Sequence, residues 1–198
     1  EYHQFSTYTK KNRYPELFNE CKKFFRNRTD LKILSFGCST GEEVESLGLF
    51  LTDASITGVD INKYCIQQCN KKYKHPLWNF IHVSSAEFLN SANYDAVFCL
   101  AVFQHPENRY KKNNSSKKYP FSKFEDQLEG LDKKLKPGGL LFIDHSDFSF
   151  LQTRVSKKYT VLKTAPNRIL RNRPSFDSTN TRIADFSFNY RIFQKSKS

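Results

Sequence analysis

The residues Ile33-Leu34-Ser35-Phe36-Gly37-Cys38-Ser39-Thr40-Gly41-Glu42-Glu43 read as a buried strand passing through a glycine-rich turn into a helix. Gly37 and Gly41 can take backbone angles closed to other residues and let a ligand lie against the main chain. The free N–H groups of a helix starting near Glu42 would then face it, which is how a nucleotide-type group is held. About twenty residues on, Gly58-Val59-Asp60-Ile61 ends a second strand in a carboxylate suited to two ribose hydroxyls. The same G-x-S-x-G spacing also matches a nucleophile elbow with Ser39 as nucleophile. That chemistry needs an acid and a histidine later in the chain and leaves Asp60 without a role. Dinucleotide oxidoreduction also fits an acidic strand end.

Two histidines stand just past strand ends: His105, after Leu100-Ala101-Val102-Phe103-Gln104, and His145, after Ile143-Asp144. An imidazole titrates near neutrality and can take a proton from a hydroxyl or an amine. Either ring can equally serve as a structural hydrogen-bonding group in its loop. Asp144, His145 and Asp147 include metal-ligating types, but their spacing matches no metal motif, and no metal is expected. Cys65 and Cys69, one helical turn apart, lack further ligands nearby and read as helix packing.

These groups need strand ends and helix starts to hold them. From Tyr14-Pro15-Glu16 onward, Leu17, Phe18, Cys21, Phe24 and Phe25 recur at helical spacing, with Pro15 suited to the first turn. An N-terminal helix is therefore predicted, covering the sheet edge or the ligand cleft, behind a polar and aromatic segment at 1–13 that reads as a tail or a flap. Strands are predicted at 31–36, 55–59, 79–83, 94–100 and 139–143, alternating with helices at 42–51, 63–73, 86–90 and 121–135. Such alternation implies parallel strands joined by right-handed crossovers. The end differs: Ile183, Phe186, Phe188, Tyr190 and Ile192 alternate with polar residues, and Tyr159 to Thr164 can supply a partner strand. Two segments, 106–120 and 165–182, are polar, basic and long for connections, a length that is usually functional or disordered.

Four segments in order resemble the class I S-adenosylmethionine-dependent methyltransferases, over roughly residues 31 to 145. They are the Gly-rich turn, the strand end at Asp60, the strand Tyr94-Asp95-Ala96-Val97-Phe98-Cys99-Leu100, and Leu135-Lys136-Pro137-Gly138-Gly139-Leu140-Leu141-Phe142-Ile143. The Gly-Cys-Ser-Thr-Gly-Glu-Glu wording is similar to that of chemotaxis-receptor methyltransferases, a likeness confined to this motif. The resemblance implies a Rossmann-like three-layer α/β sandwich with a mostly parallel seven-stranded sheet and an antiparallel C-terminal strand. Residues 31–198 would form a single methyltransferase domain, behind a tail and covering helix at 1–30.

The resemblance also implies S-adenosyl-L-methionine as cofactor. Gly37, Cys38, Ser39 and Gly41 would line its methionine and ribose side, Asp60 would accept from the ribose, and Ile61 would face adenine. Ser85 and Ala86 would sit at the adenine amino edge, and Leu100 at the fourth strand's end. Relatives often carry Asp at the Ser85 position, and an acid two positions before the first glycine, where this chain has Ser35. Glu42 or Glu43 is expected to replace that charge, Glu42 first. The Asn/Asp-Pro-Pro-Tyr/Phe of many enzymes acting on nucleobase or amide nitrogen is absent after the fourth strand, which argues against those acceptors. Methyl transfer is an in-line displacement whose rate owes much to placement, with His105 first and His145 second as candidate bases.

With 198 residues, 38% of them hydrophobic, the chain suits one domain with a real core. No stretch approaches the roughly 18 consecutive apolar residues of a membrane span. The five cysteines, at 21, 38, 65, 69 and 99, form no C-x-x-C pair, and their odd number fits a reduced compartment. With no charged-then-apolar leader, the location is read as cytoplasmic. The chain holds no Met, so Glu1 is read as preceded by further residues in the natural protein. The net charge of +12 raises encounter rates with anionic partners and leaves nucleic acid open as a partner. The lysines are scattered, however, as on solvated faces generally. The expected acceptor is a small molecule methylated at oxygen or nitrogen. The alternatives are an RNA- or protein-directed methyltransferase and a non-catalytic cofactor-binding subunit beside an active one.

Overall fold

In the computed structural model, which describes residues 7, 9–26, 28–109, 113–164, 174–183 and 190–197, local chemistry sets most element ends. Helix α1 (Pro15–Phe24) starts on its proline and finishes on Lys22 and Lys23, cations that favour a helix C-terminus. Strand β1 (Lys32–Phe36) leads through the glycine turn into α2 (Glu42–Phe50), whose first turn carries Glu42, Glu43 and Glu45. After β2 (Ser55–Asp60), the Asn62 side chain caps α3 (Lys63–Lys72) by accepting from the N–H groups of Tyr64 and Cys65. After β3 (Trp78–His82), Ser85 caps the short α4 (Ala86–Asn90) in the same way. Strand β4 (Tyr94–Leu100) is buried at every position, α5 (Phe121–Lys134) follows, and β5 (Leu135–Asp144) completes the parallel set.

The main sheet has seven strands, in the order β3-β2-β1-β4-β5-β9-β6, with β6 (Tyr159–Thr164) at the edge and β9 (Tyr190–Lys195) inserted beside β5. Strands β1 to β5 pair in parallel, and β9 runs antiparallel to both β5 and β6. This is the expected Rossmann-like arrangement with its antiparallel C-terminal strand. Alternation along the strands divides the core into two halves. Ile33, Ala96, Phe98, Leu140, Phe142 and Ile192 pack with α1, α2 and α3 on one face. Leu34, Val97, Cys99, Leu141, Ile143 and Phe193 pack with α4 and α5 on the other. Among the described residues no helix is long and apolar enough to cross a membrane.

Two assignments differ from expectation by more than a residue or two. Strand β5 begins at Leu135, not at 139, because Leu135 already pairs with Tyr94 before a register break that lets the Pro137-Gly138-Gly139 segment bulge, with Gly138 at φ 77°. Ile183 belongs to a separate hairpin, β7 (Ser175–Phe176) with β8 (Arg182–Ile183), and not to the last strand of the main sheet. Its turn is organised by Asp177, whose carboxylate accepts from Thr179 and Thr181, followed by Asn180 at φ 68°. Phe186 and Phe188, read with the last strand, lie outside the described residues.

Candidate active site

At the C-terminal edge of the sheet, the turn after β1 folds over the end of β2. The N–H groups of Gly37 and Cys38 donate to Val59 O at 2.7 and 3.0 Å, and Gly41 N–H returns to Cys38 O at 3.0 Å. Gly37, Ser39 and Gly41 have φ of 82°, 50° and 91°, all left-handed. Gly37 and Gly41 are required by the protein's own packing before any ligand is considered. A Cβ on Gly37 would collide with the Val102 side chain, and one on Gly41 would lie 2.5 Å from the Tyr73 ring. Gly37→Ala is therefore expected to cost about 1–2 kcal/mol from backbone handedness alone, lowering Tm by roughly 2–8 °C without ligand. An unchanged melting curve would show that the loop relaxes freely.

Asp60 joins this turn to the start of α3. Its Oδ2 accepts Ser39 N–H and its Oδ1 accepts Asn62 N–H, both at 2.8 Å. A carboxylate offers about four lone-pair sites, so each oxygen keeps capacity for one further donor. Ile61, next in sequence, is 38% exposed and offers an apolar surface beside that carboxylate. Cys69, on α3 beneath the turn, donates its thiol to Ser39 O at 3.3 Å, and Cys65 is buried one turn before it. Among the described residues no group of three His, Cys, Asp or Glu could hold a metal ion.

The two glutamates that open α2 take different surroundings. Glu42 is engaged by Thr40 Oγ1 at 2.7 Å and Lys72 Nζ at 3.0 Å; burial alone would raise its carboxyl, but these partners bring it below the ordinary range. Glu43 instead accepts the Ser35 hydroxyl at 2.7 Å. It thus reaches the position two before the first glycine, where the acid was missing. Burial pushes the Glu43 carboxyl up to about 8, against the opposing effects of Ser35 and the Arg13 charge.

On the adenine side of the expected site, His82 links the strand ends, with Nε2 on Ile61 O at 2.8 Å and Nδ1 on Ser84 Oγ at 2.7 Å. The Ser85 hydroxyl accepts the Phe88 N–H at 3.1 Å, and Ala86 beside it is exposed. Leu100 is buried at the end of β4, in register with Asp144 of β5.

The candidate bases stand in unlike environments. His105 is 4% exposed; its backbone N–H donates to Asp147 Oδ2 at 2.8 Å and its Nδ1 accepts Glu107 N–H at 3.2 Å. His145 has φ 52° and donates its backbone N–H to Asp144 Oδ1 at 2.7 Å. Its Nδ1 lies 3.1 Å from the same oxygen and 3.2 Å from the Tyr14 hydroxyl. Asp144 Oδ2 pairs with buried Arg191 at 2.7 Å, and Arg191 reaches Glu16 of α1 at 3.3 Å. Burial would raise the Asp144 carboxyl, but His145 and Arg191 outweigh it and hold it at about 2. Tyr14 and Arg191 were not expected in the site. Their partners are 131 and 47 residues away in the chain, beyond the reach of any local pattern.

Described parts of the N-terminal segment contact the glycine turn and α2. Ser39 Oγ donates to Thr7 O at 2.8 Å, Lys11 pairs with Glu45, and Asn12 N–H donates to Ser46 Oγ at 2.8 Å. The remainder of 1–8 lies outside the described residues, as do 110–112 and 165–173. The described parts of the two connections bind each other: Ser115 N–H donates to Asn180 O at 3.0 Å and Arg182 N–H to Asn113 O at 2.9 Å. Phe176 N–H donates to Asp147 O at 2.8 Å, anchoring the hairpin beside the ends of β4 and β5.

A family profile described as methyltransferase domain matches residues 34–143. A curated relative, glycine N-methyltransferase of Rattus norvegicus, is 26% identical over 136 residues, 61% of this chain and 42% of that protein. Similar solved structures include the plantazolicin methyltransferase BpumL in complex with SAH, at 22% identity and TM-score 0.44, covering 65% of this chain and 44% of that one. Another is an amino pentose methyltransferase from Micromonospora echinaspora with SAM bound, at 16% identity and TM-score 0.47, covering 64% and 47%. The chain spans less than half the length of each of these proteins.

Proposed function

The chain belongs to the methyltransferase-domain family, and from that premise we propose that it transfers a methyl group from S-adenosylmethionine to oxygen or nitrogen of a small-molecule acceptor. The observation that carries this reading is Asp60, fixed by the glycine turn yet with acceptor capacity left on both oxygens, at the sheet edge where such folds bind their ligands. Residues 31–198 act as one catalytic domain, with 1–30 as covering segment, in the cytoplasm.

When bound, the cofactor supplies a methyl carbon made electrophilic by its sulfonium. Gly37, Cys38, Ser39 and Gly41 hold its ribose and methionine side, Asp60 accepts the ribose hydroxyls, and Ile61 with Ser85 and Ala86 borders adenine. Glu43, beside Ser35, receives the cofactor's ammonium group, while Glu42 stays paired with Lys72 and shapes the turn. The cap formed by 113–120 and 174–183 walls the acceptor side.

Assigning Glu43 to the ammonium has a pH consequence. With its carboxyl at about 8, Glu43 is mostly protonated at pH 7 in the free protein. A cation beside it favours the charged form, so binding releases a proton and affinity rises with pH up to about 8. Calorimetry of S-adenosylhomocysteine at pH 7, in buffers of different ionisation enthalpy, should show release approaching one proton, and Glu43→Gln should abolish it. Equal release by both proteins would remove Glu43 from the site.

A macromolecular acceptor is the second reading. The net charge of +12 favours it, as do exposed Lys117 and Lys118 on the cap. A gel shift with tRNA that weakens steeply with salt would support it.

A further inference from the structure

We infer that His145, and not His105, takes the proton from the methyl acceptor, with Asp144 and Tyr14 as the residues that position its ring; this rests on the methyltransferase reading above. The two rings differ in where a neutral imidazole must carry its proton. In His105, Nδ1 accepts the Glu107 N–H, so the lone pair sits on Nδ1 and the proton on Nε2. Nε2 of that ring therefore has no lone pair with which to receive a proton.

His145 is the reverse case. A carboxylate can only accept, and Asp144 Oδ1 lies 3.1 Å from Nδ1; the Tyr14 hydroxyl, 3.2 Å from the same nitrogen, can accept as well as donate, so a proton on Nδ1 suits both neighbours and leaves the lone pair on Nε2. Nε2 has no hydrogen-bond partner among the described residues. The groups facing the ring are Tyr14 from the N-terminal segment and Asp144 from β5, with Arg191 of β9 and Glu16 of α1 behind them. Arg191 keeps Asp144 ionised and fixes its second oxygen, while the Tyr14 ring stands edge-on to the imidazole at 73° with centroids 5.7 Å apart. The backbone is held as tightly. Ser39 in the turn after β1, and Ala101 and His145 directly after β4 and β5, are all non-glycine residues in the left-handed region, and such strain persists where surrounding structure over-determines it.

The step this arrangement serves balances simply. As the acceptor's lone pair bonds to the methyl carbon, the carbon–sulfur bond breaks with its electron pair going to sulfur, which becomes a neutral thioether. The acceptor's O–H or N–H proton passes to His145 Nε2, the imidazolium is stabilised by Asp144, and the proton leaves to water. A carboxylate that fixes the tautomer of a base in this way is the logic of the serine-protease triad.

The test is long-range proton–nitrogen NMR on protein labelled with ¹⁵N-histidine, at a pH where the imidazole is neutral. His145 should show its proton on Nδ1. Asp144→Asn should erase that preference, and Tyr14→Phe, which removes one hydroxyl, should retain it. Wild-type protein with the His145 proton on Nε2 overturns the inference with no variant needed. So does a tautomer that responds to Tyr14→Phe but not to Asp144→Asn. Titration of the same wild-type sample with S-adenosylhomocysteine reports the underlying reading separately: absence of binding would sink that reading, whereas binding with an Nε2 proton overturns only the assignment of the base.

Discussion

Asp60→Ala should weaken S-adenosylmethionine binding by about 1.5–3 kcal/mol, roughly ten- to 150-fold, the scale of hydrogen bonds to a charged acceptor. The carboxylate also holds the N–H groups of Ser39 and Asn62, so part of the loss would come from a loosened turn. Asp60→Asn separates the two effects, because it keeps the shape and one carbonyl acceptor while removing the charge. Calorimetry with a melting curve for each variant checks the expectation. Unchanged affinity in folded Asp60→Ala would mean that the ribose binds elsewhere.

Arg191→Met is expected to cost about 3–5 kcal/mol of stability, the range for removing one partner of a buried ion pair. At this chain length the loss corresponds to a Tm lower by roughly 6–20 °C. The substitution leaves the Asp144 carboxylate buried with His145 as its remaining side-chain partner and frees Glu16, so the hold on α1 weakens as well. The pH dependence has a definite sign. Asp144 is held at about 2 in the folded protein, against an ordinary 3.8, so its stabilisation is present above about 3.8 and is lost as pH falls towards 2. The stability gap between wild type and Arg191→Met should therefore narrow over that window. A gap that stays constant down to pH 2 would show that Arg191 acts through packing alone.

What could be read in the sequence was whatever is written within a few residues. The turn at Gly37 to Gly41, the helix beginning at Lys63 and the strand at Tyr94–Leu100 are each announced by adjacent residue types, and they lie where expected. The start of β5 was missed because Pro137 and Gly138 look like a strand breaker, whereas they form a bulge inside the strand. The hairpin at 175–183 was legible in principle, since Asp177-Ser178-Thr179-Asn180 is a turn cluster flanked by Phe176 and Ile183. The alternation running on from Ile183 concealed it. In the candidate site, the acid near Ser35 had two adjacent candidates, and only the direction each side chain takes from the start of α2 separates Glu43 from Glu42. The groups that set the two tautomers are sequence neighbours, Glu107 for His105 and Asp144 for His145, but their orientation is fixed by distant residues, Asp147 at the His105 backbone and Arg191 on Asp144, which no local pattern announces.

A crystal structure with S-adenosylhomocysteine tests the central claim most directly. The account predicts the ribose hydroxyls on the Asp60 carboxylate, the amino group on Glu43 beside Ser35, and the adenine against Ile61. A ligand bound away from the turn at Gly37 to Gly41, or one whose ribose makes no contact with Asp60, would contradict it.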